Sequence, residues 1–159
     1  MVTLLHHVKA TIDDADVHST TYSLLQAILR RKVLLPDLYD IMDRVSHSLV
    51  VNHAAPVRQH GRVLLVTFLL NYPLHVRRVR GYLDFLTTNL AYEGQDGRES
   101  VADALHRVIT QFPDEAFEPH ALPLLIALTL RLVNEPVPYV KEQVRVVVVC
   151  LLERLKSKQ

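Results

Sequence analysis

The sequence predicts an all-α fold made of stacked helical hairpins, and three observations lead there. A polar turn recurs along the 159 residues at nearly constant spacing. After every recurrence the same four offsets are apolar, at the spacing of one helix face. The composition is rich in leucine (27) and valine (22) and holds only 4 Gly and no Trp, which argues against glycine-dependent β-turn architectures and glycine-loop nucleotide folds.

The recurrence is carried by four pairs, Val17-His18, Val57-Arg58, Gly97-Arg98 and Val140-Lys141, spaced by 40, 40 and 43 residues. Each follows a turn-like stretch: Asp13-Asp14-Ala15-Asp16, Asn52-His53-Ala54-Ala55-Pro56, Glu93-Gly94-Gln95-Asp96, and Asn134-Glu135-Pro136-Val137-Pro138. Seven, eight, eleven and twelve residues after the first member of each pair the chain is apolar every time. These positions are Leu24, Leu25, Ile28 and Leu29, then Leu64, Leu65, Phe68 and Leu69. The third and fourth sets are Ala104, Leu105, Val108 and Ile109, and Val147, Val148, Leu151 and Leu152. With 49% apolar residues overall, sixteen matches in sixteen places are improbable by chance.

A second helical pattern precedes each turn. In the second unit it is Leu38, Ile41, Met42, Val45 and Leu49, opened by Pro36-Asp37, since proline suits a first helical turn. The third unit has Tyr82, Leu83, Phe85, Leu86 and Leu90; the fourth has Leu122, Leu125, Ile126, Leu128 and Leu132. Pro119 and Pro123 should make this last helix begin late or bend, because an internal proline removes a hydrogen bond. The first unit offers only Leu4, Leu5, Val8 and Ile12, as though clipped. Each second helix ends at a cation or an aromatic-proline pair: Arg31-Lys32, Tyr72-Pro73, Phe112-Pro113 and Lys156. The aromatic of the matched endings Asn71-Tyr72-Pro73 and Gln111-Phe112-Pro113 is expected to pack over the helix end.

A unit of about 40 residues has the length of HEAT or armadillo repeats, longer than tetratricopeptide or ankyrin units. The connectors leave little room for the third helix of an armadillo unit. The expected architecture is an α-solenoid of HEAT-like helical hairpins, about three full repeats plus a clipped first one. It forms a single array over 1–159, with repeats about 1–32, 36–72, 75–112 and 117–157. The clipped first unit and the almost wholly apolar stretch from Val144 to Leu152 suggest a segment of a longer solenoid.

Composition narrows the function classes. Lys and Arg number 18 against 17 Asp and Glu, so the net charge of +1 gives no general electrostatic attraction to nucleic acid or membrane. The longest uninterrupted apolar run, Ala121 to Leu128, is shorter than a span needs, so no transmembrane helix and no membrane partner are expected. The start lacks the charge and long apolar stretch of a secretion signal. Cys150 is the only cysteine, which leaves no disulfide within one chain, and its valine-rich setting predicts buried, inert packing. A soluble protein from a reducing compartment is the default reading. None of the 9 histidines sits in a ligand frame, so no metal site is expected. Gly94-Gln95-Asp96-Gly97 lacks the Lys-Ser/Thr of a phosphate loop and reads as a turn, and Asp13, Asp14 and Asp16 read as caps for the following helix. No catalytic residue, cofactor or small-molecule substrate is expected, and the chain does not read as an enzyme.

The candidate contact residues are basic. Arg58 and Arg62, and Lys141 and Arg145, lie one turn apart near the starts of two second helices, with Arg98 at the first of these positions in the third unit. Stacking would align Arg58, Arg98 and Lys141 in a ladder that either grips RNA phosphate or an acidic partner, or locks the repeats by bonding turn carbonyls and the next acidic turn. Interleaved Glu99, Asp103 and Glu142 favour the lock. The densest positive cluster is His75-Val76-Arg77-Arg78-Val79-Arg80; cations at a helix start oppose its dipole, a cost that an external anion offsets.

Several stretches in order resemble a known family. They are Thr21-Tyr22-Ser23-Leu24-Leu25-Gln26-Ala27-Ile28-Leu29-Arg30-Arg31-Lys32 with Val33-Leu34-Leu35-Pro36-Asp37-Leu38, then Leu69-Leu70-Asn71-Tyr72-Pro73-Leu74 and Leu83-Asp84-Phe85-Leu86. Asn89-Leu90-Ala91-Tyr92-Glu93 and Gly97-Arg98-Glu99-Ser100 follow, and the likeness fades near Phe112-Pro113. This order resembles the very large HEAT-repeat protein twenty of the small-subunit processome, the family also called "down-regulated in metastasis". The resemblance implies a non-catalytic scaffold segment of a nucleolar factor that processes 18S ribosomal RNA and assembles the small ribosomal subunit. Its implied partners are ribosome-assembly proteins and pre-rRNA or small nucleolar RNA, and its implied location is the nucleus and nucleolus. The competing class is a HEAT-repeat protein–protein adaptor of transport or phosphatase-scaffold type, without RNA contact.

Overall fold

A computed structural model describes Val8, Thr11 and residues 18–157. Among the described residues there are seven helices and no strand, so the chain is all-α and has the helical-repeat architecture expected. The helices are α1 (His18–Arg30), α2 (Pro36–Val51), α3 (Ala55–Asn71), α4 (Val76–Asn89), α5 (Gln95–Gln111), α6 (Asp114–Asn134) and α7 (Pro138–Lys156). The first helix of the first unit, with its clipped start, and the Asp13–Asp16 caps fall outside the described residues; of its pattern only Val8 is described, and it is buried. The chain forms two compact units, residues 1–75 and 76–159.

In the first unit, α2 and α3 make a hairpin and α1 packs against α3. Pro36 and Pro56 occupy the first turns of α2 and α3, where a missing N–H costs nothing. Between them Asn52 folds back, its Oδ1 accepting the Ala54 N–H at 2.8 Å. The α2 stripe Leu38, Ile41, Met42, Val45 and Leu49 is fully buried. Gly61 lets α3 approach closely here: a Cβ at this position would lie 3.2 Å from Leu49 Cβ and 3.4 Å from the Val45 carbonyl oxygen. α1 ends in a left-handed residue, Lys32, at φ 52°. The aromatic at the end of α3 does pack as expected. Tyr72 stacks on Phe68 at 5.0 Å, and its hydroxyl accepts the Leu35 N–H at 3.1 Å and donates to the Val33 carbonyl at 3.0 Å.

In the second unit, α4 pairs with α5 and α6 with α7, while α5 packs on α7 and α4 on α6. Gly94 caps α5 from the turn, and Gln95, Asp96 and Gly97 already belong to the helix rather than to a loop. Of the two alternatives for this last helix, a late start does not occur: α6 runs for 21 residues through Pro119 and Pro123. Those prolines leave the carbonyls of Glu115 and Pro119 without an intrahelical donor, and both residues are exposed, so water can serve them. Its buried face is Phe117, Ala121, Leu124 and Leu128, and the expected core residues Leu122 and Ile126 are exposed.

Thirteen of the sixteen stripe residues are buried; Leu24 and Ile28 are half-buried and Leu152 is exposed. Cys150 is half-buried rather than buried. The expectation about membrane spans also needs correction. By length and composition α6 is apolar enough to cross a membrane, because scattered polar residues interrupt a run without making a helix polar. The same test is passed by helices packed in a core, and one face of α6 is packed.

Candidate functional site

The eight basic residues singled out by the sequence fall in both units, Arg58 and Arg62 in the first and the other six in the second. In the first unit, Arg58 sits on the first turn of α3 and its Nη1 donates to the carbonyls of Asn52 and His53, both at 2.9 Å. It therefore closes the turn that precedes its own helix. Arg62, one turn on, is half-buried.

Arg98 repeats this arrangement in the second unit and extends it. Its Nη1 donates to the carbonyls of Tyr92 and Glu93, at 3.0 and 2.8 Å. Its Nε and Nη2 form a bidentate pair with Glu135, both at 3.0 Å, which lies in the turn between α6 and α7. Arg131 reaches the same carboxylate from the last turn of α6 at 2.7 Å, and the Val137 N–H donates to it at 3.0 Å. Arg98 and Glu135 are 6% and 4% exposed, so this guanidinium has no face to offer an external anion. Burial pushes the Glu135 carboxyl upward, but the hydrogen bonds from Arg98, the Val137 N–H and Arg131 outweigh it and hold the group below the ordinary carboxylate range. Of the two ladder alternatives, the geometry at Arg98 is that of a lock between successive turns.

Lys141, at the equivalent place on α7, is exposed. Arg145 is exposed too and pairs with Glu142, Nε to Oε2 at 2.7 Å, a contact that holds Glu142 below its ordinary range. The start of α4 carries an exposed positive cluster. Arg77, Arg78 and Arg80 are all exposed within its first two turns, with His75 exposed just before it. Arg80 lies 3.8 Å from Asp84 in an exposed pair that water screens. Helix starts carry partial positive charge, so three cations there favour a bound anion.

Two further devices escaped the sequence reading. Arg131 completes the Glu135 cluster. Arg154, near the end of α7, donates to the carbonyls of Ile109 and Phe112, pairs with Asp114 and lies 4.2 Å over the Phe117 ring. It satisfies the carbonyls at the end of α5 and fixes the start of α6. The only sequence signal was its distance from Asp114, 40 residues away and thus one repeat length. Among the described residues, no group of three His, Cys, Asp or Glu side chains is placed to hold a metal.

No family model matches the chain. It is 35% identical over 139 residues to U3 small nucleolar RNA-associated protein 20 of Schizosaccharomyces pombe, covering 87% of this chain and 6% of that protein. The chain is a homologue of a segment of U3 small nucleolar RNA-associated protein 20. The Saccharomyces cerevisiae protein of the same name is 25% identical over 155 residues, 98% of this chain and again 6% of the relative.

Proposed function

We propose that this chain is a non-catalytic scaffold segment of a small-ribosomal-subunit processing and assembly factor acting in the nucleolus. Its two units serve as consecutive parts of one array over residues 1–159. The observation that carries the reading is the match to U3 small nucleolar RNA-associated protein 20 along 87% of the chain, on a fold of helical hairpins. Helical-repeat surfaces suit the docking of several partners at once. Within this reading, Arg77, Arg78 and Arg80 contact pre-rRNA or small nucleolar RNA, because they are three exposed cations close together at one helix start.

A second reading, a protein-only adaptor, is favoured by the near-neutral charge of +1. Affinity purification of the chain from nuclear extract, with and without ribonuclease, separates the two. Recovery of small-subunit precursor particles that is lost on ribonuclease treatment supports RNA contact. Recovery unaffected by ribonuclease supports the adaptor, and recovery of no assembly factor at all rejects the scaffold reading.

A further inference from the structure

The end of α1 breaks a pattern that the next two second helices share. Counted from Val17, Val57 and Gly97, the fourteenth and fifteenth following residues are Arg31-Lys32, Asn71-Tyr72 and Gln111-Phe112. Tyr72 and Phe112 are buried and leave their helices at φ −88° and −65°. Lys32 stands in the aromatic's place, is exposed, and turns the chain through the left-handed region at φ 52°. A side chain in that region costs energy that glycine avoids.

Arg30, Arg31 and Lys32 are consecutive and exposed, and among the described residues none of them makes an ion pair or a side-chain hydrogen bond. The other described cations of the first unit are engaged: Arg58 closes the turn before α3, and Arg44 and Arg62 have partners of their own. A cation in the last turn of a helix complements its dipole, which accounts for Arg30. Arg31 and Lys32 lie beyond that turn. Asp37 is exposed on the first turn of α2, where a helix start favours it, and no bridge joins it to the three cations.

The loop that carries these cations is held in place. The Tyr72 hydroxyl donates to the Val33 carbonyl and accepts the Leu35 N–H, so one side chain fixes the backbone on both sides of Leu34. Leu34 is 65% exposed between those anchors, and Pro36 then begins α2. Three cations and one apolar side chain are thus presented on a preorganised loop, which lowers the ordering cost of binding.

We propose that this loop, from Arg30 to Leu34, docks an acidic segment of a partner protein. Carboxylates of that segment meet the three cations, and an apolar side chain of it covers Leu34. Charge complementarity sets the acidic character of the partner. The exposed leucine favours a protein over RNA, and the loop from Arg30 to Leu35 holds no aromatic ring on which a base could stack. The proposal deepens the scaffold reading by giving one partner its chemistry, and it rests on that reading only for the partner's being an assembly protein. Titration with defined peptides tests the loop with no assembly factor present, so its failure is distinct from failure of the scaffold reading.

The probes are two fluorescein-labelled peptides, Glu-Glu-Asp-Leu-Phe-Asp-Glu-Glu and its counterpart with Ser-Ser in place of Leu-Phe, followed by anisotropy at about 0.15 M salt. The first should bind several-fold more tightly than the second. Arg30→Glu, Arg31→Glu and Lys32→Glu together should weaken it by roughly tenfold or more. The same reversal at Arg77, Arg78 and Arg80 should leave it unchanged. Lys32→Gly keeps the left-handed turn while removing one charge, and should weaken binding by about twofold. Leu34→Ser should erase the difference between the two peptides. Absence of binding to the unaltered chain, or binding that both the triple reversal and Lys32→Gly leave unchanged, overturns the proposal. Equal affinity of the unaltered chain for both peptides overturns docking on Leu34 and leaves charge attraction alone. If the triple reversal at Arg30, Arg31 and Lys32 removes binding of labelled oligouridine and spares that of the peptide, the proposal is overturned in favour of RNA.

Discussion

Glu135 gathers two guanidinium groups and a backbone N–H around one buried carboxylate, and its removal would strand Arg98 in the interior. A buried ion pair is weak evidence of net stabilisation, but losing one partner is costly. Glu135→Ala should therefore destabilise the protein by ~3–5 kcal/mol, read from the urea midpoint. The depressed carboxyl pKa adds a pH signature. A group whose folded pKa lies below its unfolded value contributes stability that is fully present above the unfolded value and is lost as pH falls through the folded one. Stability should thus hold from neutrality down to the ordinary carboxylate range and then fall. In Glu135→Gln that acid-side loss should be smaller, and an unchanged acid profile would show that other carboxylates govern it. Lys32 is a simpler case. Its left-handed φ of 52° costs a side-chain-bearing residue energy that glycine does not pay. Lys32→Gly should stabilise the protein by up to ~1 kcal/mol in the same titration.

At the scale of elements, the loops that join one hairpin to the next are held from the end of a following second helix. Tyr72 does this for Val33 and Leu35, and Arg154 for Phe112 and Asp114. Tyr72→Phe keeps the stacking on Phe68 but leaves the Leu35 N–H and the Val33 carbonyl without the hydroxyl, so it should cost ~1–2 kcal/mol in thermal unfolding. These clamps mark the limit of sequence reading. The stripes from Leu64 to Leu69 and from Ala104 to Ile109 were legible because their burial follows from spacing within a single helix. The fates of Leu152, Leu122 and Ile126 were not, because which apolar side chains of α6 and α7 are covered is set by packing in space rather than by spacing within one helix. Pro119 and Pro123 did not delay the start of α6, because the cost of a proline depends on whether the carbonyl it abandons meets water, which the sequence alone does not show. The Arg98 lock was legible as one of two alternatives because Arg58, Arg98 and Lys141 recurred beside successive turns, but the choice between them needed Glu135 in space.

For the whole molecule, charge sets the form that any RNA binding can take. With 18 basic and 17 acidic side chains there is no diffuse positive field, so binding must come from a local group of cations. The start of α4 offers three, Arg77, Arg78 and Arg80, all exposed. Each neutralised phosphate of a single strand steepens the dependence of log affinity on log salt by about 0.7, so a contact confined to these arginines predicts a slope of about −2. Arg98 is buried and should add nothing to it. Replacing Arg77, Arg78 and Arg80 together by Glu should flatten the slope towards zero and abolish binding at moderate salt. The helical circular dichroism should stay unchanged, because these residues lie on an exposed helix start. Titration of a labelled single-stranded pre-rRNA fragment across a salt series gives the slope directly. A slope much steeper than −2, or one that survives the triple substitution, would move the contact to other cations, and binding without salt dependence would remove phosphate recognition from this segment altogether.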